Sequence, residues 1–217
     1  MSELFDEVDE DVRRDQLKKV WDQYSIYIVA CALLIIVGVG GWRAYQYVEG
    51  KKAAEAGVAF DKAVELSEAN KHSEAEAAFN YLAATAPSGY RMLARLRVAG
   101  EVAIRDPQAA VKLYDDIAAD RSVAALDQEL AKVRAAQLLV ESSTYPNLLA
   151  RIESETAPKA TFRHTLRELL ALSAWRAKDM TSARKWLDMI ANDGETPPGL
   201  RSRAEALQAL LPSVAKS

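Results

Sequence analysis

The chain has 217 residues, half of them apolar, with 28 basic and 31 acidic residues and a net charge of −3. The near balance argues against the strongly basic surface that nucleic-acid binding demands, and a single cysteine, Cys31, excludes an intramolecular disulfide. The two histidines, His72 and His164, lie more than ninety positions apart with no HExxH or Cys-His spacing around either, which argues against a zinc site.

Residues 1–22 form a tail with eight acidic and four basic residues, so it carries a charge of −4 while the remainder is close to neutral. Leu4, Val8 and Val12 recur at four-residue spacing, and Leu17, Val20, Trp21 and Tyr24 continue an apolar face. From Val12 onward this predicts a helix. For residues 1–11 an amphipathic helix and a disordered acidic tail both fit, because crowded carboxylates oppose compaction.

Residues 23–42, QYSIYIVACALLIIVGVGGW, hold no charge, and a helix of twenty residues spans roughly 30 Å, the hydrocarbon thickness of a bilayer. Nine of them are Ile, Val or Leu, each favouring insertion by about 0.3–0.6 kcal/mol near a helix centre. Tyr24 and Tyr27 at one end, and Trp42, Tyr45 and Tyr47 at the other, fall where aromatic rings prefer the membrane interface. A buried core helix would carry a polar stripe, and only Ser25 and Cys31 interrupt this one. A cleaved signal peptide would place its basic and apolar regions at the N-terminus, ahead of a small-residue cleavage site. The pattern predicts an uncleaved transmembrane anchor. Arg13, Arg14, Lys18 and Lys19 before it, against Arg43, Lys51 and Lys52 after it, vote weakly for a cytoplasmic N-terminus.

From 51 to 217 the chain is rich in Ala, Leu, Glu, Arg and Lys and poor in strand and hairpin signals, which predicts an all-helical domain. Apolar periodicity broken by Pro, Gly, Asn and Asp predicts helices near 44–69, 74–86, 88–105, 107–119, 122–142, 145–156, 159–178, 180–192 and 198–211.

These helices pair, and the pairs repeat. Ala75, Phe79 and Leu82 reappear 35 residues later as Ala110, Tyr114 and Ile117; Ala183, Leu187 and Ile190 share the register, and Leu148 with Ile152 falls 35 residues before them. Small residues in the first helices match them: Ala59 and Ala63, Ala94 and Ala99, Ala131 and Ala135, Ala171 and Ala174. A small residue lets two helices approach, and the large one a turn later fills the gap between neighbouring pairs. The segment 199–211 has no partner and is expected to cap the end. The fold class expected is all-α: one N-terminal transmembrane helix followed by a helical-hairpin solenoid.

The helical period, the Ala-x3-Phe/Tyr pair and the closing Pro87 resemble a tetratricopeptide repeat, ALSAWRAKDMTSARKWLDMI being the copy most similar in texture. The whole chain, from the charged tail through GVGGWRAYQY to the repeats, resembles the YfgM-type family of bacterial inner-membrane proteins, ancillary subunits of the Sec translocon. The tail FDEVDEDVRRDQLKKVWDQY is similar to that of alphaproteobacterial members. The resemblance implies a cytoplasmic N-terminus, periplasmic repeats, and association with the SecYEG channel and the periplasmic chaperone PpiD. The expected division is a charged tail at 1–22, a transmembrane helix at 23–42 in the lipid bilayer, a juxtamembrane helix or linker at 43–58, and tetratricopeptide-like repeats at 59–217.

No GxSxG, GxGxxG or P-loop string occurs, and VGVGG belongs to the apolar span. We expect no catalytic, metal or cofactor site. First helices of such pairs line the concave face, and two carry basic residues one turn apart, Arg91 with Arg95 and Arg163 with Arg167. These four form a candidate partner-binding groove for an acidic or extended polypeptide, with an ordinary solvated helix face as the alternative. The expected function is a membrane-anchored interaction adaptor; a coordinator of envelope biogenesis or cell division is the alternative, and a hydrolase is disfavoured.

Overall fold

The computed structural model describes residues 3–212, with side chains at Lys18 and from Trp21 onward. The apolar face expected on Leu4, Val8, Val12, Leu17 and Val20 lies outside the described side chains. Among the described residues all regular structure is helical. Two compact units divide the chain, Met1–Ala54 and Glu55–Ser217.

Helix α1 covers Glu3–Glu68 and supplies all the described structure of the first unit. It includes a stretch apolar and long enough to cross a membrane. Ile26, Leu34, Ile35, Ile36 and Val37 are each at least 65% exposed, so this helix offers apolar surface on every side instead of one stripe.

In the second unit, residues 55–68 of α1 form the first helix of the first hairpin, and α2 (His72–Thr85) is its second. Then come α3 (Ser88–Arg105) with α4 (Pro107–Ala119), α5 (Ala125–Ser142) with α6 (Tyr145–Ile152), and α7 (Arg163–Arg176) with α8 (Met180–Ala191). Helix α9 (Pro198–Leu210) packs on α8 and α7 and closes the series, burying Ala204.

The turns follow from local chemistry. Pro87 forces Ala86 into an extended conformation (ψ 161°), ending α2. Asp106 accepts hydrogen bonds from the Gln108 and Ala109 amides and starts α4, where Pro107 lacks the amide hydrogen the first turn leaves unused. Two turns use a left-handed residue, Asn70 (φ 60°) and Lys178 (φ 63°). In both, the next amide reaches back to a carbonyl five residues earlier, Lys71 to Leu66 and Asp179 to Ala174, a Schellman closure.

Some helix ends depart from the periodicity. Helix α5 begins at Ala125 instead of 122, because the Asp120 carboxylate takes the Ser122 amide and hydroxyl while the Gln128 side chain bonds the Asp120 and Val123 carbonyls. The expected helix 145–156 divides into α6 and a 3-10 turn at Glu153–Thr156. Helix α7 begins at Arg163 instead of 159, since Pro158 holds Ala157 extended.

The repeat register is the core. Ala75, Phe79, Leu82, Ala110, Tyr114, Ile117, Leu148, Ile152, Ala183, Leu187 and Ile190 are all buried, as are Ala63, Ala94, Ala99, Ala131, Ala135, Ala171 and Ala174. Phe79 meets Phe60 edge to face, with ring centroids 5.2 Å apart. Gly57 completes this corner: a methyl group on it would stand 2.8 Å from the Tyr90 hydroxyl, so the absent side chain is what admits that ring.

Candidate functional site

The four arginines singled out by spacing lie in two places. Arg91 and Arg95 border a cavity of about 520 Å³ between the start of α3 and the α4–α5 connection, with Met92, Leu93, Val123 and Asp127 also lining it. Arg91 bonds the Ala86 carbonyl through Nε and Nη2. Arg95 Nη1 donates to Asp120 Oδ2 at 2.7 Å. The Ser122 hydroxyl first, and then Arg95, hold the Asp120 carboxyl down to about 2.

Arg163 and Arg167 line a different cavity, of about 540 Å³, beside the α8–α9 connection. Both side chains are buried. Arg163 bonds Asp193 through Nε (2.9 Å) and Nη2 (3.4 Å) and also reaches Glu195. Arg167 donates through Nη1 to Asp193 Oδ2 (3.0 Å) and the Met189 carbonyl, and through Nη2 to the Thr156 carbonyl at 2.9 Å. Held chiefly by Arg163, the Asp193 carboxyl lies well below the usual carboxylate range and is a poor proton acceptor. These guanidinium groups clamp the α8–α9 connection and the 3-10 turn onto α7. Helical spacing predicts that the pair shares a face, and only the fold shows which acceptors, some thirty residues away, occupy it.

His164 lies within the clamp. The Thr196 hydroxyl donates to the Ile190 carbonyl at 2.7 Å, so its oxygen receives the His164 Nδ1 hydrogen at 3.1 Å. Burial first, and then the Arg163 charge, push the imidazole below its ordinary value. His72 Nδ1 is 2.8 Å from Glu101 Oε2, and Glu101 also accepts from the Ser67 hydroxyl at 2.5 Å, tying the first hairpin to α3. Among the described residues no group of three or more His, Cys, Asp or Glu side chains is placed to hold a metal ion.

A further basic pair escaped the spacing argument. Arg97 and Arg134 are exposed on α3 and α5, and among the described residues neither takes part in an ion pair. They flank Tyr114 of α4, whose ring packs with Ala99, Ala131 and Ala135. Its hydroxyl lies beside Gly100, 3.7 Å from where a side chain there would begin. Burial raises the Tyr114 phenol above its ordinary value, and the Arg134 and Arg97 charges oppose that rise. The sequence signal was Tyr114 standing at a core register position with a polar tip that needs an outlet.

A family model described as a tetratricopeptide repeat-like domain matches residues 18–184, from before the apolar stretch into α8. No curated protein and no solved structure matches the chain.

Proposed function

The chain belongs to the tetratricopeptide repeat-like domain family, and from that membership we propose that it is a membrane-anchored, non-catalytic adaptor that binds other proteins through its hairpins. Stacked helical hairpins serve as interaction scaffolds, because each exposes a similar helix face to one extended surface. The observation that carries the anchor is the exposed apolar girdle of α1 at Ile26, Leu34, Ile35, Ile36 and Val37. In water such a surface is costly, at about 25 cal/mol per Å² of apolar area. In lipid it is the expected exterior of a single span. The family match supports treating the apolar stretch and the repeats as one architecture, since it covers both.

In this reading residues 1–22 are a cytoplasmic tail, 23–42 the span, 43–58 a juxtamembrane helix, and 59–217 periplasmic repeats. The chain is a YfgM-type subunit of the bacterial inner membrane that links the SecYEG translocon to the periplasmic chaperone PpiD. Confinement of both partners to one membrane raises their effective concentration, so weak contacts suffice. Arg91 and Arg95, beside an open cavity, serve partner contact; Arg163 and Arg167, both bonded to Asp193, serve it through the clamp they hold.

Crosslinking from the repeat unit in intact membranes, read by mass spectrometry, tests the assignment. Translocon and chaperone components are expected. Recovery of cell-wall or division enzymes without them would replace this reading with an envelope-biogenesis scaffold.

A further inference from the structure

Leu93, Arg97, Gly100 and Ile104 follow one another at steps of four, three and four residues, so they share one face of α3. The large side chains on that face are exposed, with Leu93 at 49% and Ile104 at 61%. On α5, Leu126, Leu130, Arg134 and Gln137 follow at steps of four, four and three residues and also share one face, and Leu126 is 55% exposed. Tyr114 of α4 shares a core cluster with Ala99 of α3 and Ala131 and Ala135 of α5, and its hydroxyl lies beside Gly100. At one end the strip runs into the cavity lined by Met92, Leu93 and Val123.

Several arginines around the strip are neutralised within the chain. Arg95 is neutralised by Asp120, Arg105 by Glu76 and Arg151 by Asp115. Among the described residues Arg97 makes no hydrogen bond through its guanidinium, and Arg134 makes one, to Gln137 Oε1 at 3.3 Å. Two cationic forks, one on α3 and one on α5, flanked by exposed leucine and isoleucine, match a ligand that is anionic at one point and apolar on either side. Charge-assisted bonds from guanidinium to carboxylate are roughly twice as strong as neutral ones.

We propose that the α3–α5 strip binds an extended segment of a partner protein in which acidic side chains alternate with apolar ones. Arg97 and Arg134 receive a carboxylate from the two sides, and the Tyr114 hydroxyl donates a further hydrogen bond to it. The apolar neighbours lie over Leu93 and Leu126 and reach the cavity at Met92 and Val123. This deepens, and rests on, the reading of the repeats as a protein-binding scaffold.

The test is fluorescence anisotropy with the full-length chain in detergent micelles and a labelled, end-blocked peptide alternating Leu and Glu, beside its Leu and Lys counterpart. The glutamate peptide should bind more tightly and weaken as salt is raised. The R97Q/R134Q pair should lose roughly tenfold or more in affinity, and Tyr114→Phe, which keeps the ring, a few-fold. Equal binding of both peptides, or unchanged affinity in the double variant with helicity intact, would overturn the proposal. Self-association of the chain that the double variant abolishes would assign the face to a second copy and overturn it too. Should the double variant lose its helicity, Tyr114→Phe and the salt series decide: no change in either overturns the proposal. Crosslinking separates this from the broader reading: partners retained by a variant with unchanged peptide affinity remove the groove alone, whereas no protein crosslinked to the native chain removes the scaffold.

Discussion

Trp186 donates its indole N–H to the Tyr145 hydroxyl at 3.0 Å, joining the second helices of the third and fourth hairpins across 41 positions of sequence. Trp186 is 2% exposed, so the indole has no ready access to water. Tyr145→Phe keeps the ring but leaves that donor unpaired, at a cost of about 1–3 kcal/mol. Thermal unfolding followed by circular dichroism should show a Tm lower by roughly 2–10 °C.

The repeat register makes a sharper contrast in the first hairpin. Phe79 is fully buried against Phe60, whereas Tyr81, two positions on, is 67% exposed. Phe79→Ala should destabilise the repeat unit by about 3–5 kcal/mol through lost burial and a residual cavity. Tyr81→Ala should stay within about 0.5 kcal/mol. Urea titrations of the two variants measure the difference.

The agreement between register and core shows how much of the fold was legible. Ala75, Phe79 and Leu82 and their copies at Ala110, Tyr114 and Ile117 carry the same packing problem, so spacing alone identified them as buried. The 3-10 turn at Glu153–Thr156 and the late start of α5 depend on side-chain bonds that compete with the helix, and apolar periodicity does not register those. The candidate site was legible only in part. Arg91 and Arg95 do lie beside one cavity, but the partners of Arg163 and Arg167 at Asp193 come from a connection folded back from some thirty positions away. Arg97 and Arg134 stand 37 positions apart and are related only through Tyr114.

Acid should destabilise the repeat unit in two stages. The His164 imidazole is held below its ordinary value, so the folded state refuses a proton that the unfolded chain accepts. Its contribution is therefore complete above the unfolded value, about 6.5, and falls as pH drops below it. Asp120 and Asp193 are depressed carboxylates, and their contribution is complete above about 4 and is lost as pH falls through their folded values. Denaturant unfolding across pH should show both declines. His164→Asn should flatten the one that begins below pH about 6.5 and leave the more acidic one.

Lys178 is strained where Asn70 is not. Both occupy the left-handed region at hairpin turns, but a long side chain pays a steric cost there that asparagine largely escapes. Lys178→Gly should stabilise the fourth hairpin by up to about 1 kcal/mol, while Asn70→Gly should change little. Paired Tm measurements on the two variants decide this.

An anchor of α1 in a membrane can be read from Cys31, the chain's single cysteine, without any substitution. The thiol is exposed on the apolar helix surface. If lipid covers that surface, a membrane-impermeant maleimide applied to opened native membranes should leave Cys31 unmodified until detergent and denaturant are added, when labelling by mass spectrometry becomes complete. Rapid labelling in the intact membranes, or recovery of the chain in the soluble fraction with a reactive thiol, would contradict the anchor.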